Sequence, residues 1–390
     1  MANYMVTTSY TSTIGNGLDL PGAGDFAYIG PGVMLGSALD DGRGIFASNA
    51  GTSVQIAGSV FGRVGVEFGF FAGTVTVVPG GSIFASFTAV AFQQSGTVNN
   101  AGAISGIFGI TSGADIAITN AGTIAGDYNG INIGGELVLV NTGLVTGGNL
   151  ALLTSGAAYF TNLGTISGGI STGSADDTIL NQGSVAGNIS TSFGADLVDS
   201  SGGRVFGIVN LASGDDTYIG GSFADQVLGG EGRDDLAGAG GDDRFYARDA
   251  DGNDDIDGGA GIDLYDASLM SLAVNVNLTA GLARSGGTGA DRFVWTDFEE
   301  FLAVTSGLDR ITDFVAGQDQ IDLSGIDALA ATADQAFTFV GAGPITDFGQ
   351  ISIRTTASAT FVAISLNSAA PFEVIRLDGV IALTAADFVL

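Results

Sequence analysis

The chain has 390 residues, among them 65 glycines and only 5 prolines, with no cysteine, no histidine and no lysine; its eleven cations are all arginine, its acids number 41, and the net charge is −30. That composition excludes disulfide scaffolds, histidine-bound zinc, Ser-His and Cys-His nucleophiles and lysine Schiff bases. The negative field repels nucleic acid and draws divalent cations, and although mean hydropathy is +0.40, no run of eighteen apolar residues predicts a transmembrane segment.

Residues 1–30 show no repeat register and are expected to form an N-terminal cap or connection. The opening MANYMVTTSYTSTIGNG lacks the basic start and apolar core of a cleaved signal peptide, so any export is expected to follow another route. From residue 31 to 210 a rung of about twenty residues recurs. It is faint in IAGSVFG at Ile56 and PGGSIFA at Pro79, then clear in NAGAISG at Asn100, NAGTIAG at Asn120, NTGLVTG at Asn141, NLGTISG at Asn162 and NQGSVAG at Asn181, with a degenerate form at Ser200. Stacked rungs place equal positions in columns about 4.8 Å apart. The asparagines are therefore predicted to form a hydrogen-bonded amide ladder, Gly102, Gly122, Gly143, Gly164 and Gly183 to supply positive φ at the turn, and Ile104, Ile124, Val145, Ile166 and Val185 to line the interior. A second turn in each rung puts Asp115, Glu136, Ala158, Asp177 and Asp196 into a further expected column.

Between residues 211 and 268 the period halves. LASGDDTYI, GGSFADQVL, GGEGRDDLA and GAGGDDRFY follow without a gap, then DADGNDDID and GGAGIDLYD after a two-residue slip. The sixth positions are Asp216, Asp225, Asp234, Asp243, Asp254 and Asp263. Six tightly turning residues with carbonyls aimed inward, completed by a carboxylate, make an oxygen cage suited to a hard cation. The candidate calcium ligands are those aspartates, the turn glycines Gly229, Gly230, Gly232, Gly238, Gly240, Gly258, Gly259 and Gly261, and, in the longer rungs, Asp177 and Asp196. The eighth positions, at or beside Val227, Leu236, Phe245, Ile256 and Tyr265, are expected to fill the core. Two nonamers make nearly one rung, which predicts one continuous solenoid.

These nonamers resemble the RTX family, secreted proteins whose GGxGxDxUx repeats form a parallel β-roll around calcium. Residues 269–390, with GADRFVW, SGLDRITDFVAGQDQIDLSGID and the final LTAADFVL, are similar to the C-terminal region of serralysin-type secreted metalloproteases, where an acidic residue before a short apolar end serves as an uncleaved secretion signal. The resemblance runs from about Gly173 to Leu390, leaves the Asn-x-Gly rungs outside, and implies calcium as cofactor and a type I secretion machinery as partner. It does not bring the protease: HExxH is impossible without histidine.

The expectation is an all-β, right-handed parallel β-solenoid, a β-helix running into a calcium-binding β-roll with a C-terminal β-rich cap over 269–390. About twelve rungs between Pro31 and Ser268 make a rod about 55–60 Å long. Such a chain reads as a non-enzymatic, calcium-binding structural protein of the bacterial cell exterior, folding on calcium after export and assembling with itself into a surface layer, filament or biofilm-matrix fibre. A calcium-dependent adhesin for cell-surface polysaccharide is the second reading. A β-helix polysaccharide lyase using Arg43, Arg63 or Arg204 is the third, weakened because the rungs from Asn100 to Asp199 hold no arginine.

Overall fold

The computed structural model describes residues 1–248, 254–261, 264–269, 275–277, 282–284, 292–294, 310–311, 314–326, 336–365 and 373–390. The fold is all-β, a parallel β-solenoid, with one 3-10 turn at Ala385–Asp387 and no α-helix among the described residues. Two compact units divide the chain, Met1–Tyr218 and Ile219–Leu390.

In the first unit one face is a stack of parallel strands: Asn3–Val6, Phe26–Ile29, Thr52–Ile56, Gly73–Val77, Gly96–Asn100, Ile116–Asn120, Leu137–Asn141, Ala158–Asn162, Thr178–Asn181 and Leu197–Asp199. A second face is built from longer strands, Ser59–Phe68, Ser82–Phe92, Ala103–Ser112, Thr123–Ile133 and Leu144–Thr154. Strands such as Ile116–Asn120 alternate buried and exposed residues, because successive side chains of a strand point to opposite faces and here only one face meets the core. Ile104, Ile124, Val145, Ile166 and Val185 are fully buried, as their phase requires. The first thirty residues are paired too: Asn3 lies beside Phe26, Tyr10 beside Leu35 and Leu18 beside Ile45.

The predicted amide ladder is present and buried. Asn100 Nδ2 donates to Asn120 Oδ1 at 2.8 Å, Asn120 to Asn141 at 2.7 Å, Asn141 to Asn162 at 2.8 Å and Asn162 to Asn181 at 2.9 Å. The column ends on the Ser200 hydroxyl, 3.3 Å from Asn181 Nδ2. Each strand in the register aligns these residues directly. Upstream, the same column is filled by Val77 and Ile56; Pro79 stands outside it, because this corner holds two extra residues between Val78 and Gly81, after which Ser82 and Ile83 return to register.

The glycines after the asparagines serve a different purpose from the one expected. None of Gly102, Gly122, Gly143, Gly164 and Gly183 has a positive φ. A Cβ on Gly122 would lie 2.1 Å from the Gly102 carbonyl oxygen, and one on Gly164 2.2 Å from that of Gly143. These corners are glycine because successive backbones stack too closely for any side chain.

In the second unit, Gln226–Glu231 pairs in parallel with Arg244–Arg248, that strand with Leu264–Leu269, and the series continues through Leu282–Arg284 and Arg310–Ile311 to Glu373–Asp378. Gln350–Thr355, Ala359–Ile364 and Glu373–Asp378 form an antiparallel set. Phe293, Ile311, Ile321, Leu323, Val362, Ile375 and Leu377 make its core. Val227, Leu236 and Phe245 are buried as their eighth positions predict, while Ile256 and Tyr265 are half-buried.

Replacing a middle rung of the amide ladder leaves two buried neighbours without their partner, each a loss of about 1–3 kcal/mol. Asn141→Ala is therefore expected to lower the urea midpoint of the first unit by an amount equivalent to about 2 kcal/mol or more, with the calcium-titration midpoint unchanged; an unaltered urea midpoint refutes the ladder's structural weight.

Candidate metal centre

A single corner column carries the site. Strand register aligns Thr52, Gly73, Gly96, Ile116, Leu137 and Ala158 with Asp177 and Asp196, and the bridge from Phe193 to Ser213 carries the alignment to Asp216. An apolar corner thus becomes a buried carboxylate at Asp177. Asp115 and Glu136 do not belong to this column, contrary to the sequence alignment. They lie one residue earlier, exposed, level with Asp176: Asp115 Oδ1 accepts the Glu136 N–H at 2.9 Å and Asp176 Oδ1 accepts that of Ala195 at 2.9 Å. One residue of register moves a side chain from interior to solvent.

Within the column each carboxylate receives a backbone N–H from the rung before it. Asp177 Oδ1 accepts from Ala158 at 2.6 Å, Asp196 Oδ1 from Asp177 at 2.8 Å, and Asp216 Oδ1 from Asp196 at 2.7 Å. The pattern repeats in the second unit, where Asp243 Oδ1 accepts from Asp225 at 2.7 Å and Asp254 Oδ1 from Asp234 at 3.0 Å. Asp25, which sequence reading assigned only to the cap, is another such residue: its Oδ1 accepts the Ala2 N–H and its Oδ2 that of Gly22, each at 2.7 Å. The Ala2 bond, helped by that of Gly22, holds its carboxyl below the usual range despite burial. The only sequence signal for it was GAGD, a short echo of the nonamer turn.

What closes the other carboxylate oxygen depends on the residue five positions earlier. In the long rung that residue is Thr172, whose hydroxyl donates to Asp177 Oδ2. Its successor Thr191 stands beside Asp196 but commits its hydroxyl to the Leu211 carbonyl at 2.8 Å, leaving Asp196 Oδ2 buried without a hydrogen bond. Burial pushes the Asp177 carboxyl up to about 6, against the pull of Thr172 and Ala158 and with a smaller push from the Asp196 and Asp176 charges. Burial also raises Asp196 and Asp254.

In the nonamers the equivalent residue is glycine, and its missing side chain is the cradle. A Cβ on Gly229 would meet Asp234 Oδ2 at 2.2 Å; one on Gly238 would meet Asp243 Oδ2 at 2.2 Å and the Gly258 carbonyl oxygen at 2.7 Å; one on Gly220 would meet the Gly238 carbonyl oxygen at 2.4 Å and Asp225 Oδ2 at 2.7 Å. Each space is lined by one carboxylate, and those over Gly220 and Gly238 also by a main-chain oxygen of the next coil. The second and fourth positions take left-handed backbone: Gly230 at φ 108°, Gly232 at 136°, Gly259 at 82° and Gly261 at 151°. Gly241, at 128°, holds the fourth position of its nonamer, while Gly240, the candidate at the third, bridges to Ala260. Ser192, Ala212 and Ala239 take the second-position turn at φ 86°, 73° and 69° without being glycine. Asp263 lies outside the described residues.

No three acidic side chains gather round one point among the described residues. A cation here would be held by one carboxylate per half-coil and by the backbone carbonyls beside it, the all-oxygen set that hard divalent ions prefer. The donor set and the glycine cradles fit calcium.

The geometry defines a class: a parallel β-coil with carboxylate-and-carbonyl corners. The family it falls in is the peptidase M10 serralysin C-terminal region, which matches residues 97–390, about three-quarters of the chain, and to which the chain therefore belongs. The match begins well upstream of Gly173 and so takes in Asn-x-Gly rungs that the sequence resemblance left out. It covers the family's C-terminal repeat region and no catalytic domain, a region whose repeats bind calcium and whose presence implies type I secretion to the exterior. No curated protein matches the chain. No helix of the described residues is long and apolar enough to cross a membrane.

Two expectations follow. Because Asp177 binds its proton more tightly folded than its ordinary 3.8 allows, the folded chain holds more protons than the unfolded one between those values, and stability falls as pH rises from about 4 to about 6. In calcium-free urea titrations Asp177→Asn, which keeps the Ala158 bond but has no charge, is expected to flatten that slope; an unchanged slope refutes the assignment. Gly229→Ala and Gly238→Ala should displace the Asp234 and Asp243 carboxylates and weaken calcium binding about tenfold each, whereas Gly122→Ala should lower stability with calcium binding intact, all read by calcium titration.

Proposed function

We propose that this chain is a secreted, calcium-binding repeat protein whose coil closes on calcium outside the cell, and that it serves as a structural component of the bacterial exterior, associating with itself into a layer, filament or matrix fibre. The observation that carries the calcium part is the repeated space over Gly220, Gly229 and Gly238, lined each time by a sixth-position carboxylate and, at two of them, by a carbonyl of the following coil. Bound calcium supplies positive charge where carboxylates stack. Without it, Asp234, Asp235, Asp242 and Asp243 crowd within ten residues in a chain of net charge −30 and repel one another. An ion that binds only the folded form adds about 1–3 kcal/mol when its concentration exceeds Kd ten- to hundredfold.

The chain's end supports folding after export. Phe388–Val389 pairs with the strand Gln320–Asp322, and Phe388 packs on Phe339 at 5.1 Å. Asp387 is buried, its Oδ2 accepting the Thr384 N–H at 2.6 Å and its Oδ1 that of Gly317. An end so placed is accessible to an export machinery only while the chain is unfolded. The structural role draws on composition: the rungs from Asn100 to Asp199 carry no arginine, and so lack the cationic groups with which a catalytic cleft would hold an anionic substrate. Heterologous contacts between regular coils extend without closing.

Excess EGTA is expected to reduce the β-signal in circular dichroism and millimolar calcium to restore it. Electron microscopy of the calcium-loaded protein is expected to reveal ordered polymers; an EGTA-insensitive spectrum sinks the calcium reading, and persistent monomers sink the structural one.

A further inference from the structure

The flank of the first unit carries a row of aromatic rings that neither the amide ladder nor the corner carboxylates use. Phe61 and Phe84 stack with ring centres 5.6 Å apart and planes 10° from parallel. Beside them Phe87, Phe108 and Tyr128, from three successive rungs, meet edge to face at 5.5 and 5.7 Å. The strands are bulged at this place, with register shifts between Ala85 and Thr88 and between Gly106 and Phe108. A bulge re-aims side chains, and sheets use such breaks near binding sites. The result is that Phe84, Phe87 and Tyr128 are exposed, although the coil could have buried or omitted them.

A cation heads the row. The Arg63 guanidinium lies 4.7 Å over the Phe87 ring. Between residues 44 and 126 the charged side chains are Arg63, Glu67 and Asp115. Glu67 is buried and closed by Arg43 and by Gln93, whose Nε2 donates to it at 3.0 Å. Asp115 accepts the Glu136 N–H at its corner. Asp40 and Asp41 precede Gly42, whose carbonyl accepts the Arg63 N–H, yet no ion pair joins Arg63 to a carboxylate among the described residues.

The occupant that fits is linear and extended, because rings from successive rungs follow one another with centres 5.5 and 5.7 Å apart. Ring faces take the C–H faces of sugars, a planar guanidinium takes a carboxylate through two parallel hydrogen bonds, and the exposed Asp127 beside Tyr128 can accept from hydroxyls. We infer that this aromatic-and-arginine face binds a linear polysaccharide whose sugars carry carboxylates. The inference rests on the extracellular reading above and is independent of the calcium coil.

The test is calorimetric titration of the calcium-loaded full chain with oligogalacturonate and, for comparison, a neutral cello-oligosaccharide. Binding of the acidic oligomer is expected, weakening with salt. Phe87→Ala and Tyr128→Ala should each lower affinity about two- to tenfold, and Arg63→Gln should abolish the preference for the acidic oligomer, with circular dichroism unchanged in all three. Failure of the folded wild type to bind, or variants that bind as it does, overturns the inference. So does self-association by sedimentation that disappears in Phe87→Ala without any sugar bound, which assigns the face to a second copy. A chain that folds without calcium yet binds the acidic oligomer supports this inference and overturns the calcium reading alone.

Discussion

Every coil of a parallel solenoid must bring its corners within van der Waals reach of the next, and the corner carboxylate is where this chain meets that constraint. Backbone N–H groups at a tight corner cannot all pair within the sheet, and leaving one buried and unmet costs about 1–3 kcal/mol. Asp177, Asp196 and Asp216 meet that demand in the first unit and Asp243 and Asp254 in the second, each accepting an N–H from the rung before it. One oxygen of each carboxylate is thus spent on architecture. The chemistry available to the protein lies in the other.

That second oxygen is governed by a small change of side chain. Where Thr172 stands, a hydroxyl closes Asp177 from within, and the burial of the pair raises the carboxyl toward neutrality. Where Gly229 and Gly238 stand, the same oxygen faces a space that a methyl group would fill. The Asp177 rung is therefore closed from within, whereas the nonamer corners are, on the reading proposed, completed by a cation.

Charge is distributed to match. Eight acids and two arginines occupy the first 170 residues, leaving 33 and 9 for the rest. On the reading proposed, divalent ions relieve the self-repulsion of the acidic nonamers, whereas the weakly charged early rungs can present aromatic rings and one arginine on a bulged flank without burying them in a field of carboxylates. Calcium closure and surface recognition, as proposed, occupy different rungs and need not compete.

The sequence by itself determined the coil, because periods of twenty and nine with apolar residues at constant phase admit few folds other than stacked parallel strands. It also determined the amide ladder, since Asn100, Asn120, Asn141, Asn162 and Asn181 recur at the spacing at which amides bond to one another. Registers of a single residue were beyond it. TSGAD and SFGAD read alike, yet only strand pairing decides that Asp115 faces water and Asp196 the interior. Gly102 and Gly230 look equivalent as letters, yet the first avoids a neighbouring carbonyl and the second turns left-handed. Nor could composition reveal that Arg63 forms no ion pair among the described residues, or that Asp387 and Phe388 fold inward. Periodicity is local and therefore written in the chain, whereas close approach between rungs is a property of the stack and exists only once the stack has formed.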